Sequence, residues 1–181
     1  MIEASEICPR LWVGSFPKTG WALADAGFDT LVLCACDHQP PTQLFPGVEV
    51  ARIDLIDDGS PITLEHLQEA MHLAVALAHR VRAGSNVLCT CRHGRNRSAL
   101  VASLALAALT GCGGRRASEI VRERRRSPYG PALTNSGFVR ALSMIPGRKP
   151  RTAKTARDAL VAFAPRGPAD ALRAKAAAAG V

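Results

Sequence analysis

Hydrophobic positions along the chain follow two different patterns. Residues 30–36 (Thr-Leu-Val-Leu-Cys-Ala-Cys) form a continuous apolar run, which is typical of a strand buried on both faces of a parallel sheet. Residues 64–81 instead carry apolar side chains every three or four positions, which predicts an amphipathic helix that ends at Gly84. Similar patterns predict further strands at 7–13, 48–56 and 86–90, and further helices at 21–26, 98–109, 118–126 and 134–144. Because strands and helices alternate, we predict an α/β fold with helices around a mainly parallel central sheet.

The regular pattern ends at Pro146. Beyond it, two helix-compatible segments are separated by residues 165–168 (Pro-Arg-Gly-Pro), so we divide the chain into a domain, residues 1–145, and a loosely attached tail, residues 146–181. The tail holds eight Lys or Arg and two acidic residues, and therefore most of the formal net charge of +8. A basic tail can attract nucleic acid or anionic lipid, or it can extend into solvent without a specific partner.

Composition limits the location and the cofactors that we expect. The N-terminus lacks a basic segment followed by an apolar run, and the longest apolar run, 99–109, is shorter than the roughly 18 residues that span a bilayer. We therefore expect a cytoplasmic protein whose thiols are reduced. The pairs Cys34/Cys36 and Cys89/Cys91 are each separated by one residue, which is tighter than structural zinc sites, so we expect no metal and no cofactor. The sequence leaves the oligomeric state open.

Residues 91–98 (Cys-Arg-His-Gly-Arg-Asn-Arg-Ser) carry the chemistry. They lie between a predicted strand and a helix, so backbone N–H groups converge at a helix N-terminus and form an anion site sized for phosphate. Gly94 permits backbone angles that larger residues resist, and the planar guanidinium of Arg97 can bind two phosphate oxygens. Such surroundings lower a thiol pKa from about 8.5 to roughly 3.5–7.5, so we expect Cys91 to be a thiolate that attacks phosphorus. The phosphocysteine is then hydrolysed, and Ser98 can donate a hydrogen bond to the departing thiolate.

This loop resembles the active-site loop of the cysteine-dependent protein tyrosine phosphatases, specifically the compact dual-specificity phosphatase type. Other segments resemble further parts of that family, namely its opening strand (residues 7–14), its post-loop helix (117–126) and its closing helix (Pro131, Asn135 and Phe138). The resemblance implies a five-stranded sheet flanked by helices, and an Asn135 that supports the loop. It also implies a phosphomonoester hydrolase that acts on phosphotyrosine, and on phosphoserine or phosphothreonine, in phosphorylated proteins. The family usually has His before the nucleophile, where this chain has Thr90.

The leaving group needs a proton, so a carboxylic acid should face the loop. Asp54, Asp57 and Asp58 lie at the end of the strand predicted at 48–56 or just after it, where the family keeps its acid on a mobile loop. The family's spacing to the next helix favours Asp57 as the general acid. Asp58 is the second candidate, and we expect Asp54 to lie within the strand.

The remaining loop residues are expected to bind substrate: Arg92, His93, Gly94, Arg95 and Asn96. Three of them make the loop unusually basic. Similar loops occur in superfamily members that act on RNA 5′-triphosphate ends and on phosphoinositides, so these substrates are alternatives to phosphoprotein. A non-catalytic phosphate-binding module is an alternative of another class, although both a nucleophile and an acid are present.

Two other cysteines are candidates for redox control. Cys34 occupies a position that resembles the resolving cysteine of lipid-phosphatase relatives, and Cys89 lies two residues before the nucleophile. Either could trap an oxidised Cys91 as a disulfide if the Cα atoms come within about 7 Å. Buried cysteines are also common as ordinary core residues, so both interpretations stay open.

Overall fold

The structure is a computed structural model that describes residues 3–17, 21–35 and 40–148. Its sheet contains five strands: β1 (Ala4–Cys8), β2 (Leu11–Ser15), β3 (Thr30–Leu33), β4 (Glu49–Arg52) and β5 (Val87–Cys91). They are arranged in the order β1-β2-β5-β3-β4. Strands β1 and β2 are antiparallel and all other neighbours are parallel. The predicted α/β fold with a mainly parallel five-stranded sheet is confirmed.

Helices pack on this sheet and on one another. They are α1 (Trp21–Asp25), α2 (Leu64–Arg82), α3 (Arg97–Thr110), α4 (Gly114–Arg124) and α5 (Ser136–Ser143), with a short 3₁₀ helix at Thr42–Leu44. Helix α3 is buried along almost its whole length. It contacts β2 and β5 on the sheet side and α2, α4 and α5 on its other sides. This position explains why residues 98–109 are almost entirely apolar, since a helix surrounded by other elements has no polar face.

The ends of two helices are set by the residues that the sequence marks. Thr63 caps α2, because its hydroxyl oxygen accepts a hydrogen bond from the backbone N–H of His66 at 3.2 Å. Gly111 ends α3 with a φ of 76°, a left-handed conformation that glycine adopts without strain. Helix α4 begins at Gly114, four residues earlier than the predicted helix at 118–126.

Two strands differ from the prediction. The segment 7–13 is a hairpin and not one strand, because the chain reverses at Pro9–Arg10, where Arg10 has a φ of 71°. Strand β4 ends at Arg52, and the chain leaves the sheet after the backbone N–H of Ile53 donates to the carbonyl of Leu33 at 3.0 Å. Asp54 is therefore exposed and outside the strand, contrary to the prediction.

The topology places the loop after β5 at the carboxyl end of the parallel strands. Strand β5 lies between β2 and β3, and its C-terminal end leads through residues 92–96 into α3. Ligands of parallel sheets bind at this carboxyl end. No helix within the described ranges is both long and apolar enough to cross a bilayer.

Only the first residues of the predicted tail can be described. The backbone N–H of Arg148 donates to the carbonyl of Gly111 at 2.8 Å. Residues 149–181 lie outside the described residues, as does Cys36, so the division of the chain into domain and tail stays a prediction.

Candidate active site

Cys91 and Ser98 face each other across the loop between β5 and α3. Cys91 is the last residue of β5, is 3% exposed, and its Sγ lies 3.2 Å from the Oγ of Ser98. Arg97 is the first residue of α3. The strand, loop and helix predicted around residues 91–98 are all present. A thiol, a hydroxyl and a helix N-terminus therefore meet at one point.

Gly94 allows the loop to fold tightly against β2. Its φ is 63°, and a Cβ atom there would lie 2.5 Å from the backbone carbon of Gly14 and 2.5 Å from Nη2 of Arg125. Both the backbone angle and the space exclude a larger residue. The prediction that the loop requires glycine at this position agrees with this packing.

Arg125 supports the loop by binding its backbone carbonyls, a contact that the sequence pattern did not predict. Its side chain is 0% exposed. Its Nε donates to the carbonyl of Gly94 at 2.8 Å and its Nη2 to the carbonyl of His93 at 3.4 Å. In a trans peptide the N–H points opposite to the C=O, so these bonds direct the N–H groups of Gly94 and Arg95 away from Arg125. A signal existed in the resemblance of residues 117–126 to the post-loop helix, but a run of three arginines is more typical of a solvated surface.

Glu3 neutralises this buried arginine. Its carboxylate accepts two hydrogen bonds from Arg125, at 2.5 and 2.7 Å, and one from the backbone N–H of Ser15 at 3.2 Å. Burial alone would raise the pKa of Glu3, but the hydrogen bonds from Arg125 and Ser15 lower it below its ordinary value of 4.5. Residue 3 and residue 125 therefore hold the loop together.

Asp57 is tied to the loop by two asparagines. The Nδ2 of Asn96 lies 3.3 and 3.1 Å from the two carboxylate oxygens of Asp57, and the Nδ2 of Asn135 donates to Oδ1 at 2.9 Å. Asn135 also caps α5, since its Oδ1 accepts from the backbone N–H of Phe138 at 3.2 Å. The three polar side chains thus join the segment after β4, the loop and α5.

Asp58 is bonded within its own turn and not to the loop. The carboxylate of Asp58 accepts from the hydroxyl and the backbone N–H of Ser60, at 2.5 and 2.9 Å, and these bonds lower its pKa. It therefore closes the turn before α2. Of the three acids, the structure brings Asp57 to the loop.

The side chains predicted to bind substrate point in different directions. Arg95 donates to the carbonyl of Pro131 at 3.0 Å and to the hydroxyl of Thr134 at 3.3 Å, so its guanidinium is bonded to the 131–134 segment. The ring of His93 packs on Tyr129, with centroids 4.8 Å apart and planes at 43°. Arg92 is exposed. Tyr129 was not predicted, because nothing in the sequence indicates which loop lies beside residue 93.

Thr90 occupies the place where the resemblance implies His. It is buried, and its hydroxyl donates to the carbonyl of Val32 on β3 at 3.1 Å. This bond joins the end of β5 to its neighbour strand immediately before Cys91.

Comparison with known proteins shows the family. No profile of a known protein family matches the chain. Human dual specificity phosphatase 28 is 33% identical over 122 residues, which are 66% of each chain. The mouse protein of the same name is 31% identical over 124 residues, or 67% of this chain and 72% of the mouse one. The crystal structure of human DUSP28 has a TM-score of 0.63 and 30% identity, and the match covers 77% of this chain and 89% of that one.

A second solved structure agrees. The crystal structure of a mouse putative dual specificity phosphatase, complexed with zinc tungstate, has a TM-score of 0.65 and 26% identity over 92% of this chain and 95% of that one. The chain belongs to the dual-specificity phosphatases of the cysteine-dependent protein tyrosine phosphatase superfamily. It is accordingly a phosphatase, as the loop sequence predicted.

The sheet places Cys34 next to the C-terminal end of β5. The register of β3 and β5 pairs Leu33 with Thr90, and the backbone N–H of Cys34 continues the ladder by donating to the carbonyl of Thr90 at 2.9 Å. Adjacent strands lie roughly 4.8 Å apart, and residues opposite each other project to the same face. Extending the register by one residue would pair Cys34 with Cys91, so we expect their Cα atoms to lie within the roughly 7 Å that a disulfide requires. Cys89 lies on the same strand as Cys91, and burial raises its thiol pKa.

We predict that oxidation by peroxide links Cys34 to Cys91. A sulfenic acid on Cys91 would condense with the Cys34 thiol, releasing water, and dithiothreitol should then restore activity. Mass spectrometry of non-reduced digests should find the Cys34–Cys91 peptide in wild type and in the control variant Cys89→Ser, but not in Cys34→Ser. Irreversible sulfinic acid at Cys91 in the wild-type protein, with no cross-link, would show that Cys34 is an ordinary core residue.

The Glu3–Arg125 pair predicts a pH-dependent stability. Because the folded pKa of Glu3 is lowered, its carboxylate stabilises the fold above pH 4.5, and this contribution is lost as the pH falls through the folded pKa. Glu3→Gln should cost about 1.5–3 kcal/mol at neutral pH, the value of hydrogen bonds to a charged group. It should also lose stability less steeply than wild type below about pH 4.5, as measured by urea unfolding.

Glu6 provides the control. Burial raises the pKa of Glu6, against the backbone N–H of Arg10 and the charge of Arg124, so its contribution to stability grows as the pH falls. Glu6→Gln should therefore make the acid loss steeper than in wild type. Equal slopes for wild type and Glu3→Gln would contradict the role assigned to the ion pair.

Proposed function

We propose that the chain hydrolyses phosphotyrosine, and phosphoserine or phosphothreonine, in proteins through a phosphocysteine intermediate on Cys91. The observation that carries this proposal is the position of the Cys91 Sγ, at the buried end of β5 and 3.2 Å from the Oγ of Ser98. The positive end of the α3 dipole stabilises negative charge on that sulfur. The same N-terminus, with Arg97 as its first residue, suits a bound phosphate.

In the first step, the Cys91 thiolate attacks phosphorus and the ester oxygen leaves. Arg97 binds the equatorial phosphate oxygens with its guanidinium, and the N–H groups of Gly94 and Arg95 contribute to the cradle that Arg125 orients. Asp57 donates the proton that the leaving oxygen needs. In the second step, water attacks the phosphocysteine, and the Ser98 hydroxyl donates a hydrogen bond to the departing thiolate.

Contacts around Asp57 support its choice as the acid. Asn96 and Asn135 both donate to its carboxylate, so the group is held beside the loop. Asp58 is bonded to Ser60 and would have to release that turn in order to reach the loop. Of the three candidate acids Asp54, Asp57 and Asp58, Asp57 is therefore the one held where it can reach a leaving group.

Two contacts favour a protein phosphomonoester over RNA triphosphate. The guanidinium of Arg95 is bonded to Pro131 and Thr134, which removes one of the three basic side chains that made the loop suitable for a polyphosphate. The His93–Tyr129 pair provides an aromatic wall beside the loop, and Tyr129 is 51% exposed. Such a wall can pack against the phenyl ring of phosphotyrosine.

A cytoplasmic location suits this chemistry, because a cysteine nucleophile works only while it is reduced. The basic tail remains a proposed contact for nucleic acid or anionic lipid, and it is separate from the catalytic proposal.

Cys91→Ser should reduce turnover by several powers of ten, because a serine hydroxyl stays protonated near neutral pH and is a poor nucleophile. Arg97→Lys should also lose most activity, since a point charge cannot replace the planar guanidinium. Cys112→Ser, which lies beyond the end of α3, is the matched control and should keep wild-type rates. The measurement is phosphate release from a phosphotyrosine peptide.

The same assay tests the substrate class. A panel of phosphotyrosine peptide, phosphoserine peptide, phosphoinositide and triphosphorylated RNA should show the highest kcat/KM for phosphotyrosine. A preference for RNA or lipid would overturn the substrate assignment. Stoichiometric binding of phosphopeptide without any phosphate release would instead indicate a non-catalytic module.

Asp57→Asn should slow hydrolysis of poor leaving groups by about 10²–10⁴, the usual contribution of a general acid. The effect should be larger for a phosphoserine peptide than for p-nitrophenyl phosphate, since an acidic phenol leaves without full protonation. Asp58→Asn is the matched control and should show neither effect. If Asp58→Asn alone shows this dependence, the acid is assigned one residue too early. If neither variant shows this dependence, the reaction does not need a general acid. The substrate would then be an anhydride and not a phosphomonoester.

A further inference from the structure

A groove of about 770 Å³ is lined by residues 131–134 and by side chains of α4 and α5. Its apolar part is formed by the 131–134 segment together with Val139. Arg122 from α4 and Arg140 from α5 also line it. Volumes of this size are typical of sites that hold a small ligand or a few side chains of a partner.

The groove shares a wall with the active-site loop. The backbone N–H of Leu133 donates to the carbonyl of Arg95, and that of Thr134 donates to the Oδ1 of Asn96, both at 2.8 Å. Arg122 also donates to the Leu133 carbonyl, at 2.6 Å. The 131–134 segment is therefore hydrogen-bonded both to the loop and to an arginine of the groove. Within this segment Leu133 has a φ of 56°, which is unusual for a residue with a side chain.

The groove is positively charged. Residues 92–148 contain eleven arginines and only two acidic residues, Glu119 and Glu123. Glu119 is paired with Arg115 and Arg116 at the other end of α4. Glu123 follows Arg122 in sequence, but adjacent positions on a helix point apart. Within the described ranges, neither groove arginine forms an ion pair.

We propose that this groove binds an acidic segment of the phosphoprotein substrate, with carboxylates on Arg122 and Arg140 and an apolar side chain against Val139. This proposal rests on the proposed function, because it adds a second contact to the same substrate. The two arginines favour an acidic partner because of charge complementarity. The apolar part of the groove favours a peptide with at least one apolar side chain. Among the described residues that line the groove none is aromatic, so it offers no surface for stacking nucleic-acid bases.

The first test measures binding without catalysis. The probe is a fluorescein-labelled, phosphate-free peptide of alternating Glu and Leu, compared with a Gln/Leu peptide of equal length, on the 181-residue chain. Fluorescence anisotropy should show that Arg140→Glu weakens binding of the Glu/Leu peptide about tenfold. Arg115→Glu, which makes the same charge change on α4 outside the groove, should bind like wild type. The affinity should fall as salt is added, because the contacts are between exposed charges.

The second test measures catalysis. A phosphotyrosine peptide that carries the Glu/Leu extension should have a lower KM than the same peptide with the Gln/Leu extension. Arg140→Glu should abolish the difference and leave kcat unchanged. Turnover of p-nitrophenyl phosphate should stay within about twofold of wild type in Arg140→Glu and in Arg115→Glu, because neither side chain touches the loop.

Several results would overturn the proposal. Equal loss of peptide binding in Arg140→Glu and Arg115→Glu would mean that only overall charge matters. Arg140-dependent binding of phosphatidylserine vesicles or single-stranded RNA, without peptide binding, would assign the groove to another partner. A dimer that Arg140→Glu dissociates, and that does not bind the peptide, would assign it to a second copy of the chain. Absence of turnover on every substrate would refute the proposed function alone, since the anisotropy result does not depend on catalysis.

Discussion

The rest of the site depends on the hydrogen bonds that the buried guanidinium of Arg125 donates to the loop. A loop that presents its N–H groups to an anion must place its carbonyls elsewhere, and buried carbonyls need donors. Arg125 supplies them to Gly94 and His93, and Glu3 neutralises its charge. Removing Glu3 would leave the buried charge of Arg125 without compensation, which is more costly than never having buried the pair. The shape of the loop is therefore stabilised by two residues, Glu3 and Arg125, that lie outside it.

Polar contacts around Asn96 give the loop a second support. Its amide N–H groups lie against Asp57, while its Oδ1 accepts from the backbone of Thr134 and Asn135. One side chain thus joins the proposed acid, the nucleophile loop and the wall of the basic groove. Because an amide carries both donors and an acceptor, it can bridge a carboxylate and two N–H groups at once, which neither Asp nor Lys could do at this position.

Local patterns were predicted well from the sequence, whereas contacts between distant segments were not. Cys91, Arg97 and Ser98 lie within eight residues, so their strand, loop and helix could be inferred from periodicity and from the glycine between them. Arg125 could not be assigned, because its partner Glu3 is 122 residues away and a run of three arginines indicates a surface. The hairpin at Pro9–Arg10 was missed for a different reason: a two-residue reversal hardly interrupts an apolar run.

The separation of Glu3 and Arg125 along the chain has a consequence for biosynthesis. A ribosome releases Cys91, the proposed nucleophile, well before it releases Arg125, so the contacts that support the loop cannot form while the chain is only partly made. The contact between Glu3 and Arg125 also joins residues that are 122 positions apart, and contacts at such long range form slowly relative to helices. A nascent chain therefore carries Cys91, the proposed nucleophile, before Arg125 can support the loop that follows it. The loop reaches its supported conformation only when residue 3 and residue 125 come together.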